Sequence, residues 1–98
     1  MIYVLAEHRI HPDKTAAFIE AAKIVAAATR KEAGCIHYTV NVDVEDENFI
    51  VFVERWESRD HLQAHFGQPH VKTFLDSIDG MVAWRNLEVV HSDKVEVL

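Results

Sequence analysis

Seven histidines are many for 98 residues. Imidazole takes and returns protons near neutrality, its ordinary pKa being about 6.5. Three of the seven stand where a site could assemble. His65 lies beside the core-facing positions Leu62 and Phe66 of a helical stretch, His8 shares a strand face with Val4 and Ala6, and His70 follows Pro69 at a helix start. The densest stretch is Asn48 to His70, NFIVFVERWESRDHLQAHFGQPH. Phe52, Glu54 and Trp56 fall there on one face of a period-2 strand, with His65 on the helix that follows. A carboxyl held away from water keeps its proton to higher pH. An indole can stack on a flat ring while donating one N–H. Tyr38 belongs to the core or to the rim of a pocket. Together these groups could move protons on a small flat molecule, with His65 as the leading base, His8 and His70 behind it, and Trp56 as ring platform. The same residues also have structural readings: a helix-flank histidine bonded to backbone, a strand-end histidine, a cap, a core tryptophan, and a carboxylate paired with Arg or Lys.

Two other groupings carry less. His61 and His65, four apart with Glu57 one turn earlier, make a nominal metal stripe. No further ligand pair accompanies them and His61 is expected to face water, so no metal is expected. Cys35, directly after Gly34 at a strand start, reads as a buried and inert thiol.

The elements that must position these groups are legible as periodicities. Met1 to Ile10 alternates as a strand. A helix is expected from about Pro12 to Lys31, with Phe18, Ala21, Ala22, Val25 and Ala28 on its buried face. Gly34 stops it. Cys35 to Val44 is a second strand, with Ile36, Tyr38, Val40 and Val42 on one face. An acidic turn, Asp43 to Asn48, joins it to the third strand as a hairpin. Ser58 caps a short helix that ends near Gly67. A second helical piece, His70 to Ile78, buries Val71, Phe74 and either Leu75 or Ile78. Val82 to Val90 is the fourth strand, and Val95, Val97 and Leu98 are too apolar for a free tail. The order β-α-β-β-α-β, with the second helix in two pieces, is the α+β ferredoxin-like split βαβ arrangement: a four-stranded antiparallel sheet with its helices on one face. The other face, with Phe49, Val51 and Val53, is left uncovered and predicts a partner, most simply a second copy packed sheet to sheet.

Composition narrows the class. The length suggests one domain, residues 1–98. With 49% hydrophobic residues and five Gly plus Pro, the chain is not disordered. A formal charge of −6 argues against nucleic acid or an anionic membrane as partner. A single cysteine excludes an intrachain disulfide and fits a reducing cytoplasm. The opening MIYVLAE lacks the marks of a signal peptide, and no apolar run suffices to span a bilayer.

The pattern Glu32-x-Gly34-Cys35-Ile36-x-Tyr38, then Glu54-x-Trp56-Glu57-Ser58, then His61-Leu62-x-x-His65 and Pro69-His70 resembles the antibiotic biosynthesis monooxygenase family, nearest to its small bacterial quinol monooxygenases. The resemblance covers nearly the whole chain and is densest from Glu54 to His70. It implies a dimeric α+β barrel and a pocket between the sheet and the broken second helix. It further implies attack on phenolic substrates by dioxygen without metal, flavin or haem. The haem-degrading branch uses an asparagine, a tryptophan and a histidine where this chain has His8, His65 and Leu75, so the proximal ligand is missing and haem is not expected.

The function expected is therefore a cofactor-independent monooxygenase acting on a hydroquinone or related polyphenol, homodimeric, with dioxygen as co-substrate. A base would deprotonate the phenol, donors would hold the oxyanion, and a dry cavity would shelter the intermediate. Two other readings stay open. One is an isomerase or tautomerase of a small oxygenated metabolite, with His70 and Lys72 meeting a phosphate. The other is a non-catalytic dimeric ligand-binding module.

Overall fold

Strand β1 (Ile2–Ile10) buries every second residue, as its apolar alternation requires. The computed structural model describes residues 1–98. In it β1 is central, paired antiparallel with β3 (Asp46–Trp56) and with β4 (Val82–His91). β2 (Cys35–Asp43) flanks β3, giving the sheet order β2-β3-β1-β4. The helices α1 (Thr15–Thr29), α2 (Arg59–Phe66) and α3 (Pro69–Ser77) complete the expected α+β ferredoxin-like order, with the second helix in two pieces. None of them is long and apolar enough to cross a membrane.

The core is the layer between one sheet face and the helices. Val4, Ala6, Ile50, Phe52 and Trp56 from the sheet meet Phe18, Ala22 and Val25 of α1, Leu62 of α2, and Ile78 just beyond α3. Phe18 and Trp56 are fully enclosed, so truncating either to alanine should cost about 3–5 kcal/mol. The opposite sheet face carries Leu5, Phe49, Val51, Val53 and Trp84, which are half-buried or exposed.

Several boundaries differ from the periodic reading. Pro12–Lys14 form a 3-10 turn before α1 begins. Arg30 and Lys31 leave the helix: the Arg30 guanidinium turns back to donate to Tyr38 O at 2.9 Å, anchoring the helix end to β2. β3 starts at Asp46 because the hairpin turn is only Val44–Glu45, held by Glu45 N donating to Asp43 Oδ1 at 2.7 Å. The register of β2 slips between Cys35 and His37, so Ile36 bulges outward and is exposed while Cys35 stands opposite Trp56. Phe66, expected in the core, is 41% exposed; Leu62 and His65 take the buried stripe of α2. Ile78 is buried and Leu75 is not.

Candidate functional site

A cavity of about 240 Å³ lies between the inner sheet face and the broken second helix. Strand alternation aims His8, Phe52 and Glu54 into it from the two central strands, and Tyr38 from β2. Above them stand His65 and Phe66 of α2, and Val71, Phe74 and Leu75 of α3. Ser58 sets the direction of α2 by accepting from His61 N at 3.2 Å, the N-cap read from the sequence. From there His65 falls one helical turn beyond the cap-bonded residue, on the buried side.

Glu32 organises the histidines. It lies in the turn between α1 and β2, which closes at Gly34 with φ +80°. Its Oε2 accepts from His65 Nδ1 at 2.7 Å and from His70 Nε2 at 2.8 Å. The contact spends the Nδ1 of His65 and leaves Nε2 without a protein partner on a ring that lines the cavity. Burial holds the His65 pKa below its ordinary value, against the opposing pull of Glu32. His65 is therefore a neutral imidazole with one free nitrogen, which is what a base requires.

A second buried carboxyl stands below it. Trp56 Nε1–H donates to Glu54 Oε1 at 2.9 Å, and the indole lies 4.8 Å from the His65 ring, centroid to centroid. Burial pushes the Glu54 pKa up to about 7; the Trp56 hydrogen bond works against this and the Glu32 charge adds to it. His8 is packed between Phe18 and Phe52 and shares its Nδ1 with Ala6 O at 3.1 Å. Its pKa is lowered, first by burial and then by the Arg85 guanidinium. Arg85 reaches the cavity from β4, directly across from His8. Burial also raises the Tyr38 hydroxyl pKa, so that phenol stays protonated.

The structure thus brings His8, His65, Glu54, Phe52, Tyr38 and Phe66 to one cavity. Two of the sequence candidates stand outside it. Trp56 is fully enclosed behind the wall and its N–H is taken by Glu54, so it supports the site rather than offering a free ring face. His70 sits on the far side of Glu32, toward the surface. His70 and Lys72 do not converge as a phosphate site either, since Lys72 Nζ is drawn to Asp76 at 3.0 Å. His61 is not the solvent-facing residue expected: its ring packs on Gly34 and its Nδ1 meets Ser58 Oγ at 2.7 Å. The nominal His61–His65 stripe is therefore not formed. Glu32, His65 and His70 instead cluster with donor atoms within 4.8 Å of one another, a composition that could hold a metal ion. In this arrangement the shared oxygen is engaged by hydrogen bonds from both rings. Cys35 is half-buried with a raised thiol pKa, from burial and then from Glu32 and Glu54, which suits an inert thiol.

Glu32 as the partner of both rings, and Arg85 as a cavity residue, were not among the sequence candidates. Arg85 was within reach, because it alternates with Leu87 and Val89 on the inner face of β4. No periodicity governs a turn residue such as Glu32.

Comparison with known proteins agrees with this architecture. The family model described as antibiotic biosynthesis monooxygenase matches residues 1–77. The chain is 34% identical over 101 residues to YgiN of Escherichia coli strain K12, named a probable quinol monooxygenase, covering 92% of this chain and 96% of the relative. Among solved structures, one from Nitrosomonas europaea superposes with a TM-score of 0.92 at 22% identity, covering 96% of this chain and all of its own. Another, the crystal structure of an antibiotic biosynthesis monooxygenase, gives 0.86 at 27% identity over 98% of this chain and 100% of the other. The match runs from β1 through α3, the elements that supply His8, Glu32, Glu54 and His65, and by that match the chain belongs to the antibiotic biosynthesis monooxygenase family.

Proposed function

We propose that this protein is a small-molecule monooxygenase that oxidises a hydroquinone or related polyphenol with dioxygen, using no metal, flavin or haem. The observation that carries the reading is a buried, neutral His65 whose ring lines a mostly apolar cavity, its Nε2 without a protein partner and its Nδ1 held by Glu32. At about 240 Å³ the cavity suits a molecule of one or two rings. The E. coli relative's name, probable quinol monooxygenase, supports the same substrate class.

The chemistry balances without an external reductant. His65 Nε2 takes a hydroxyl proton, and the phenolate passes an electron to dioxygen far more readily than the phenol does. One oxygen atom enters the ring as a new C–O bond. The other leaves as water, so hydroquinone plus dioxygen gives a hydroxyquinone plus water. Arg85, at the cavity, favours the anionic ring. Tyr38, protonated, can donate a hydrogen bond to the oxygens, while neutral His8, its N–H on the Ala6 carbonyl, can accept one from a ring hydroxyl. Tyr38, Phe52, Phe74 and Phe66 give the ring an aromatic enclosure that limits water. The active unit is one domain, residues 1–98, in a homodimer joined through the uncovered sheet face, and the single cysteine suits a cytoplasmic setting.

Oxygen uptake by chelator-treated protein on addition of hydroquinones tests the reading. Substituting His65→Gln should lower kcat by roughly 10²–10⁴. Uptake that is absent in the native protein, or equal in the variant, would overturn it.

A further inference from the structure

A base beneath a seated ligand faces a difficulty once it has taken a proton: the ligand covers the nitrogen that took it, so the proton must leave by another side before the ring can act again. The surroundings of His65 offer one outlet. Around its ring stand Tyr38, with a raised pKa, the enclosed Trp56 and Phe66, while Glu54, bonded to Trp56, lines the same cavity as His65. On the remaining side lies Glu32, and beyond it His70.

A carboxylate that merely orients a base needs one partner ring. Glu32 has two on the same oxygen, and they differ in where they lead. Side-chain exposure rises along the row, from 5% at His65 through 9% at Glu32 to 24% at His70. His65 lines the cavity; His70 does not, and borders two other surface grooves instead. His70 spends Nε2 on Glu32 and keeps Nδ1 free of protein partners.

We propose that His65, Glu32 and His70 form a proton relay that joins the ligand-filled cavity to bulk water. The proposal rests on the reading of His65 as the base that takes a phenol proton. With its proton on Nδ1, His65 receives the substrate proton at Nε2 and gives the Nδ1 proton to Glu32 Oε2. At rest a proton is already shared between Oε2 and Nε2 of His70, whose Nδ1 also carries one; as the carboxyl takes the His65 proton, the shared one moves fully onto His70, so each short contact keeps one hydrogen throughout. The Nδ1 proton then leaves to water. One proton enters the row, one leaves, and no electron moves. His65 is left in the opposite tautomer and His70 with its Nδ1 bare. The proton later needed to turn the reduced oxygen atom into water runs inward along the same row and restores them. In this scheme Glu32 and His70 are positioning and relaying residues that never touch substrate.

The test separates ligand ionisation from proton release. Chelator-treated protein is mixed without oxygen with 4-nitrophenol in weakly buffered solution containing phenol red, and the two absorbance bands are followed by stopped flow. In the native protein ligand ionisation and proton appearance should rise together. His70→Gln retains an amide N–H for Glu32 but has no second titrating nitrogen. It should still bind and should release the proton roughly tenfold more slowly. His70→Ala should be as slow and should recover when imidazole is added. A purely orienting role predicts normal release in His70→Gln. Native-like release in both variants, no recovery by imidazole in folded His70→Ala, or release that requires added zinc would each overturn the relay. Normal release with no oxygen uptake would remove the monooxygenase reading and leave the relay standing. No ligand ionisation in the native protein would end both.

Discussion

Glu54 is the residue whose environment most alters its chemistry. Its pKa is pushed up to about 7, well above an ordinary glutamate near 4.5, so folding favours the protonated form. The stability this confers is fully present below pH 4.5 and is lost as pH rises through 7, on the order of 3 kcal/mol at most. Glu54→Gln keeps an acceptor for Trp56 and has nothing to ionise. Its melting temperature should therefore gain on the native protein as pH rises from 5 to 8, and a difference that stays flat across that range would refute the buried-acid account. His65 behaves in the opposite sense. Its lowered pKa keeps it neutral and available as a base above about pH 6.5, so oxygen uptake should fall only on the acid side of that value. The side chains most readily read from sequence were those on regular elements. His8, Phe52 and Glu54 alternate on strands, and His65 follows Leu62 around a helix, so a face could be assigned to each before any contact was known. Glu32 could not be placed that way, because its partners lie 33 and 38 residues away and its direction is set by a turn.

That turn is the element on which the site depends. Gly34 has φ +80°, and a Cβ there would run into the His61 ring. Its carbonyl accepts from Glu57 N at 2.9 Å, tying the turn to the end of β3 just before α2 begins. Gly34→Ala should cost about 1–3 kcal/mol in denaturant melts. It should also lower kcat through a displaced Glu32, even though residue 34 touches neither histidine. Loss of stability with unchanged activity in the folded fraction would show that the turn does not position Glu32. Strand and helix order followed directly from hydrophobic periodicity and the Ser58, Gly34 and Pro69 punctuation. The bulge at Ile36 and the early end of α1 did not, since each is decided by a contact across the sheet: the β2–β3 register slip in one case, and the Arg30 bond to Tyr38 O in the other.

For the molecule as a whole, the sheet has one face under helices and one face with Leu5, Phe49, Val51 and Val53 that no element of the chain covers. A second copy there would bury these side chains at the middle of the sheet. Val53→Asp, on central strand β3, should convert a dimer to monomers in light scattering while leaving the inner core unchanged. A native protein that already runs as a monomer at micromolar concentration would remove the face-to-face assembly. The chain's two tryptophans stand on opposite faces of that sheet: Trp56 is enclosed 4.8 Å from His65, and Trp84 lies opposite Arg9 on the uncovered side. Nature has in effect placed one fluorophore on each question. With Trp84→Phe, the remaining emission should dim as an acidifying titration turns the neighbouring imidazole into a quencher. With Trp56→Phe, the colour of the emission should shift to the blue as protein concentration rises and subunits meet.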